Sequence, residues 1–246
     1  MAYDFNTIAT EYDRMNHLMT LGLDKRWRKQ TVKRLSKLIP QNSKVLDVAC
    51  GTGDLAFSLA ESSFSVTGVD LSEKMLSIAA DKKQLHYPDY HIDFQQADVE
   101  QLPFADSTFD AVTCAFGVRN FVHLSRGLKE MLRIMKPEGS MVILELATPD
   151  SMIIKPFYNL YTHHIIPWLG SRIANNRKAY TYLPESIDHF PKGKAFMQII
   201  EKLGGKMTEY RLTLGVCRMY IIKKKAIAQY NKEYGQRIFA QFSEKV

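Results

Sequence analysis

The sequence predicts an α/β fold, an open and mostly parallel sheet with helices on both faces, and three observations carry that expectation. Apolar runs suited to buried strands alternate with amphipathic helical stretches from Lys44 to Ala147. The first run ends in the glycine-rich turn Cys50-Gly51-Thr52-Gly53 and passes straight into a helical pattern. The second and third runs end in acids, Asp70 and Asp98, at the strand tips where such sheets bind their ligands.

Taken in order, residues 5–38 read as helical and amphipathic. Strands follow at 45–49, 65–70, 91–97, 110–116 and 140–146, and the segment from Asp54 to Glu61 reads as the helix that leaves the glycine turn. The late runs from Met207 to Leu214 and from Val216 to Lys223, joined through Gly215, predict a terminal hairpin. From Ser151 to Pro184 there is no Asp or Glu, while Phe157, Tyr158, Tyr161, Trp168, Tyr180 and Tyr182 supply aromatic surface. Such a segment suits a flat apolar substrate near anionic headgroups, and equally a subunit interface.

Composition bounds the rest. A chain of 246 residues can bury a core without disulfides or metal, and its 46% apolar content is ordinary for one globular domain. No uninterrupted apolar stretch approaches the roughly 20 residues that span a bilayer. The N-terminus shows neither a basic region nor an apolar signal core, so the chain reads as cytoplasmic. Cys50, Cys114 and Cys217 lack paired-ligand spacing, and no metal site is expected. The net charge of +7 is uneven: residues 223–246 hold six basic residues against two acidic ones. Ile227, Tyr230, Tyr234, Ile238 and Phe242 recur there at helical spacing, so the tail reads either as a helix lying on lipid or as one packed on protein.

The glycine turn and Asp70 suit a nucleoside cofactor, because a carboxylate at a second strand tip accepts hydrogen bonds from both ribose hydroxyls. Gly51 and Gly53 permit close backbone approach, and free amides at the turn would face the ligand. The spacing Gly51-x-Gly53-x-x-Ala56 fits a dinucleotide. Asp47 argues otherwise, since a carboxylate there repels a pyrophosphate and attracts a sulfonium or an ammonium group. S-adenosylmethionine carries both cations. A strand-end acid that merely caps the next turn is the alternative for Asp47. An NAD-type oxidoreductase also leaves Asp98 and the terminal hairpin without purpose, and the only Tyr-x-x-x-Lys, Tyr220 to Lys224, lies in a strand-like run. A nucleic-acid partner is not expected, because the basic excess sits largely in the tail and not on a dense face, and a methyltransferase acting on RNA is the alternative of that class.

Val45-Leu-Asp-Val-Ala-Cys-Gly-Thr-Gly-Asp54, Gly68-Val-Asp-Leu-Ser72, Ala97-Asp-Val-Glu-Gln-Leu-Pro-Phe104 and Phe109-Asp-Ala-Val-Thr113 resemble the class I S-adenosylmethionine methyltransferase motifs in their usual order. Gly117-Val-Arg-Asn120, the run from Leu128 to Gly139 and the Tyr180-to-Pro191 motif narrow the resemblance to the menaquinone/ubiquinone biosynthesis C-methyltransferases, over about residues 5–223. The resemblance implies a Rossmann-like, mostly parallel seven-stranded sheet with a C-terminal antiparallel hairpin. It divides one methyltransferase domain, 1–246, into a helical lid (1–40), a cofactor-binding core (44–147), an aromatic substrate cap (150–190), the hairpin (207–223) and a basic amphipathic tail (224–246). S-adenosyl-L-methionine is the implied cofactor, held by Asp47, Gly51, Thr52, Gly53, Asp70, Asp98 and Val99. Asp98 and Val99 match the pair that frames adenine, and Thr52 lies at the methionine end.

The implied acceptor is a polyprenylated quinol, demethylmenaquinol foremost and a ubiquinone-pathway methoxybenzoquinol next. Alignment does most of the work in methyl transfer, and an electron-rich ring carbon needs a deprotonated neighbouring hydroxyl. Arg119 is expected to favour that phenolate electrostatically and Asn120 to orient it, unless Arg119 is spent on a nearby carboxylate. His123, His163, His164 and water are the candidate proton acceptors. Three positions depart from the family pattern: Ala49 replaces a glycine, Ala115 stands where some relatives have Ser, and Tyr220 where many have His.

Overall fold

The structure, a computed structural model, describes residues 5–166, 168 and 177–225. Among these the sheet has seven strands: β1 (Lys44–Val48), β2 (Ser65–Asp70), β3 (Ile92–Gln96), β4 (Phe109–Ala115), β5 (Met135–Leu146), β6 (Gly205–Leu212) and β7 (Cys217–Lys224). Their order is β3-β2-β1-β4-β5-β7-β6, parallel from β1 to β5, with β7 antiparallel to both neighbours. This is the expected parallel sheet closed by an antiparallel pair. Order reverses between β1 and β4, and in such sheets a crevice opens beyond the strand tips at that point.

Helices α1 (Ala9–Met19), α2 (Leu23–Leu35), α3 (Asp54–Ala60), α4 (Glu73–His86), α5 (Leu124–Ile134), α6 (Ile154–Leu160), α7 (Arg177–His189) and α8 (Lys194–Lys202) surround it. Strand alternation sends Val45 to one face and Leu46 to the other. Val45 packs with Trp27, Leu35, Leu55 and Phe57 from α2 and α3. Leu46 packs with Leu128, Met131 and Phe196 from α5 and α8. Two apolar layers clamp the central strands, which fixes the carboxyl edge that carries the site.

Residues 5–38 are helical as expected, in separate pieces, a 3₁₀ turn (Phe5–Thr7) and then α1 and α2, broken where Leu21 and Gly22 take φ of 52° and 74°. The structure departs from the sequence reading in two places. β5 begins at Met135 and not at 140, because Met135 already pairs with Phe109 before a bulge shifts the register to Ala111 and Ser140. The hairpin turns through a 3₁₀ segment, Thr213–Gly215, and not through Gly215 alone. The apolar stripe of the tail, Ile227 to Phe242, lies outside the described residues.

Candidate functional site

The glycine turn is pinned to the tip of β2. The Gly51 amide donates to Asp70 Oδ2 at 2.8 Å, the Cys50 amide to the Val69 carbonyl at 3.0 Å and the Gly53 amide to the Cys50 carbonyl at 3.0 Å. Both glycine amides are therefore spent inside the protein, where the sequence had suggested free donors facing a ligand. A phosphate cradle loses its donors this way. What the turn builds instead is a fixed Asp70, whose other oxygen accepts from the Ser72 amide at 2.9 Å. Burial pushes the Asp70 carboxyl up, against the pull of those backbone amides. Gly53 is required: its φ is 88°, and a Cβ there would meet Phe57 at 2.7 Å. Ala49 also takes a left-handed φ of 51°, and its methyl group fits because Gly117 has none, since a Cβ on Gly117 would stand 2.6 Å away.

Beyond Asp70 opens a cavity of about 350 Å³, lined by Gly51, Asp70, Asp98, Val99, Gly117 and Asn120 among others. Asp98 caps the 3₁₀ turn Val99–Gln101 by accepting from the Glu100 amide at 2.8 Å with Oδ1. Ala115 and His123 also line this cavity. His123 is an exposed rim residue whose ring nitrogen lies 2.8 Å from Glu100.

Asp47 and Thr52 lie in a separate, small cavity of about 20 Å³, with Tyr12, Asp13, Arg28 and Asp54. Thr52 donates to Asp13 of α1 at 2.5 Å, and Lys82 bridges Asp13 and Asp54 at 2.6 and 3.0 Å. Asp47 is 1% exposed and takes a 2.7 Å hydrogen bond from Thr113 on Oδ1, and among the described residues Oδ2 has no partner. Burial pushes its carboxyl up to about 7, against the Thr113 hydrogen bond. Three carboxylates and one guanidinium suit the ammonium and carboxylate of an amino acid, and an orphaned acid oxygen suits a cation. The donor set fits such a group.

A buried acid of raised pKa costs stability once ionised. The folded chain holds the Asp47 proton up to about 7, while the unfolded chain releases it near the ordinary carboxylate value of 3.8, so stability falls as pH rises through that window. Asp47→Asn is therefore expected to raise the ligand-free melting temperature at pH 8 by a few degrees more than at pH 5. Equal shifts at both pH values in differential scanning fluorimetry would refute this assignment.

A third cavity, of about 160 Å³, lies between α1, α2 and the 150–190 segment, and is lined by Tyr12, Trp27, Arg119, Tyr158, Tyr161 and Leu183 among others. Arg119 reaches it and is also spent on a carboxylate. Its Nη1 donates to Glu145 at 2.5 Å and to the Phe116 carbonyl at 2.5 Å, and its Nε to Ser186 of α7 at 3.3 Å. Glu145 is fully buried, and its other oxygen accepts from the Arg119 amide at 3.2 Å. The alternative of an arginine paired with a nearby carboxylate is what is observed, on a side chain that also lines this cavity. Among the described residues no hydrogen bond engages Nη2. Burial opposes the guanidinium charge, but the Glu145 carboxylate outweighs it and holds the pKa above the ordinary arginine value. Asn120 accepts from the Tyr182 hydroxyl at 2.9 Å and lines the large cavity, not the third.

His163 and His164 are exposed and line none of these cavities, and His163 lies 3.4 Å from Asp188. The sequence reading gave no individual role to Glu145, Arg28 or Tyr12, and named Tyr158 only as part of the aromatic surface. Burial raises the Tyr12 and Tyr158 phenols, so both stay protonated at neutral pH. Tyr12 lines all three cavities. Arg28 pairs with Asp24 and lies 3.7 Å from Asp54, filling with a guanidinium the place where His17, Asp24 and Asp54 converge. Cys50 is no nucleophile, since burial holds its thiol well above the ordinary range. Tyr220 is buried against Phe196, away from the cavities.

Comparison with known proteins fits this geometry. The model of the ubiE/COQ5 methyltransferase family matches residues 2–224. A demethylmenaquinone methyltransferase of Porphyromonas gingivalis is 42% identical over 221 residues, 88% of this chain and 89% of its own. A ubiquinone/menaquinone biosynthesis C-methyltransferase UbiE of Geotalea daltonii is 41% identical over 224 residues, 89% of this chain and 94% of its own. The crystal structure of a SAM dependent methyltransferase from Aquifex aeolicus shares the fold at a TM-score of 0.55 and 16% identity, over 78% of this chain and 88% of that one.

Proposed function

Because the chain belongs to the ubiE/COQ5 methyltransferase family, we propose that it methylates a ring carbon of a polyprenylated quinol, demethylmenaquinol foremost, with S-adenosyl-L-methionine as methyl donor. The protein is an S-adenosyl-L-methionine-dependent methyltransferase of quinone biosynthesis. One observation carries the finer reading: a cavity beside Asp70, a carboxylate-rich pocket beneath Thr52 and an aromatic cavity beside Arg119 all meet at Tyr12.

When bound, the donor supplies an electrophilic methyl group on a good leaving group. In this reading Asp70 takes the ribose hydroxyls, Asp98 and Val99 frame the adenine, and Gly51 and Gly53 hold the loop in place. Asp47 and Asp13 face the ammonium, and Arg28 takes the carboxylate. Arg119 directs Nη2 at the acceptor hydroxyl and favours its anion, while Asn120 ties that turn to Tyr182 of α7. The buried phenols are poor bases and the three histidines lie outside the aromatic cavity, so water is the favoured proton acceptor. Residues 1–40 act as a lid in this reading and 150–190 as the substrate cap.

No helix among the described residues is long and apolar enough to cross a membrane. Peripheral contact with lipid at the cytoplasmic face supports access to a prenylated substrate, and a homodimer is the competing use of the same apolar surface. Labelled methyl transfer to a demethylmenaquinol analogue and to a ubiquinone-pathway methoxybenzoquinol tests the assignment. Faster transfer to the first is expected, and labelling of neither quinol would overturn it.

A further inference from the structure

The helix that walls the aromatic cavity is apolar on both sides. α6 runs on through a π-helical turn, Tyr161–Ile165, so the chain from 154 to 165 is one continuous helical rod. Its inner side gives Tyr158, Tyr161 and Thr162 to the cavity. Its outer side carries Ile153, Phe157 and Leu160, spaced four and three apart and 79%, 71% and 55% exposed. Two other segments around the same cavity also end in exposed leucines. Leu21 lines the cavity and is 74% exposed, so the cavity's mouth lies there. Leu214 is equally exposed, in the turn whose Thr213 accepts from Trp27 Nε1 at 2.8 Å, and Trp27 lines the cavity wall. The exposed large apolar residues elsewhere among the described residues, Leu71, Leu85, Tyr90 and Val122, belong to other segments, remote in sequence from this mouth.

Charge selects the occupant. The stretch from Ser151 to Pro184 holds Lys155, Arg172, Arg177 and Lys178 and not one acid. On the described rod, residues 153–165, Lys155 is the one Lys or Arg and there is no Asp or Glu, so this face offers a twofold mate no acid of its own for Lys155 to pair with. An anionic bilayer supplies the opposite charge and an apolar interior in one surface. A cavity of about 160 Å³ also has no room for a long prenyl chain beside a ring, so the chain must leave past Leu21.

We propose that the outer face of the 154–165 helix, with Leu21 and Leu214, seats this protein on anionic lipid and lets a quinol ring enter from the bilayer. This rests on the quinol reading for its substrate, but the surface can be tested apart from it. The full-length protein is sedimented with vesicles of phosphatidylcholine with and without phosphatidylglycerol, for the parent, Ile153→Ser/Phe157→Ser and Lys155→Glu. The expected result is salt-sensitive binding to the anionic vesicles, weakened roughly tenfold or more by the double change and less by the charge reversal. Methylation of a long-chain quinol in vesicles should fall in parallel, and by a larger factor than turnover of a short-chain analogue in solution. Undiminished vesicle binding by the double variant would overturn the proposal. So would a parent that ignores lipid, or a dimer that the double change dissolves while lipid binding is unaltered. If the parent binds vesicles but methylates neither quinol, the surface stands and the substrate reading fails.

Discussion

Asp70→Asn is expected to raise the dissociation constant for S-adenosyl-L-methionine by about 10- to 100-fold while turnover at saturating donor stays near the parental rate. The carboxylate already accepts one backbone amide on each oxygen, from Gly51 and from Ser72. Each oxygen retains a further lone pair, and a ribose offers two hydroxyl donors. An amide keeps the shape but loses the charge and turns one acceptor into a donor. Hydrogen bonds to a charged group are worth about 1.5–3 kcal/mol each, and 1.4 kcal/mol is tenfold in affinity. The same change sets an amide nitrogen against a backbone N–H, at Gly51 or at Ser72. A fall of a few degrees in melting temperature should accompany the weaker binding. Isothermal titration calorimetry decides the matter: an affinity within about threefold of the parent would mean that Asp70 only braces the turn.

The same residue shows what a linear sequence discloses. Asp70 was legible because strand tips and the turn between β1 and α3 are set by local pattern: apolar runs, glycines at positive φ, and an acid where the run stops. The antiparallel pair β6–β7 was legible for the same reason. The start of β5 was not. Lys136-Pro-Glu-Gly139 has the composition of a turn, yet tertiary pairing of Met135 with Phe109 keeps it extended. Side-chain partners across the fold were hidden as well. Glu145 is one acid in an apolar strand, and nothing in its spacing points to Arg119, 26 residues earlier in the chain. Arg28 and Tyr12 lie on helices whose docking on the sheet edge, not their own sequence, turns them toward the cavities. The histidines could not be ranked from sequence, because residue type makes each a possible proton acceptor while their positions on the surface and rim follow from packing alone.

Arg119 and Glu145 lead to the second large effect, and the pair must be separated to measure it. Arg119→Ala strips a fully buried carboxylate of its counter-charge, which typically costs about 3–5 kcal/mol of stability, so lost activity in that variant would be ambiguous. Arg119→Gln/Glu145→Gln removes both charges and lets two amides hydrogen-bond in their place. Stability should return to near the parental value in the double variant. If Arg119 also stabilises the phenolate through Nη2, turnover should remain about 10²–10³-fold below the parent, with donor affinity unchanged. Full recovery of turnover along with stability would reduce the arginine to a structural link between Glu145 and Ser186 of α7. Glu145→Gln alone gives the complementary signature. It leaves the guanidinium uncompensated beside the acceptor, which lowers the pKa of a bound phenol-like hydroxyl further. The rising limb of the pH–rate profile should then move to lower pH, opposite to the loss of rate expected when the positive charge itself is removed.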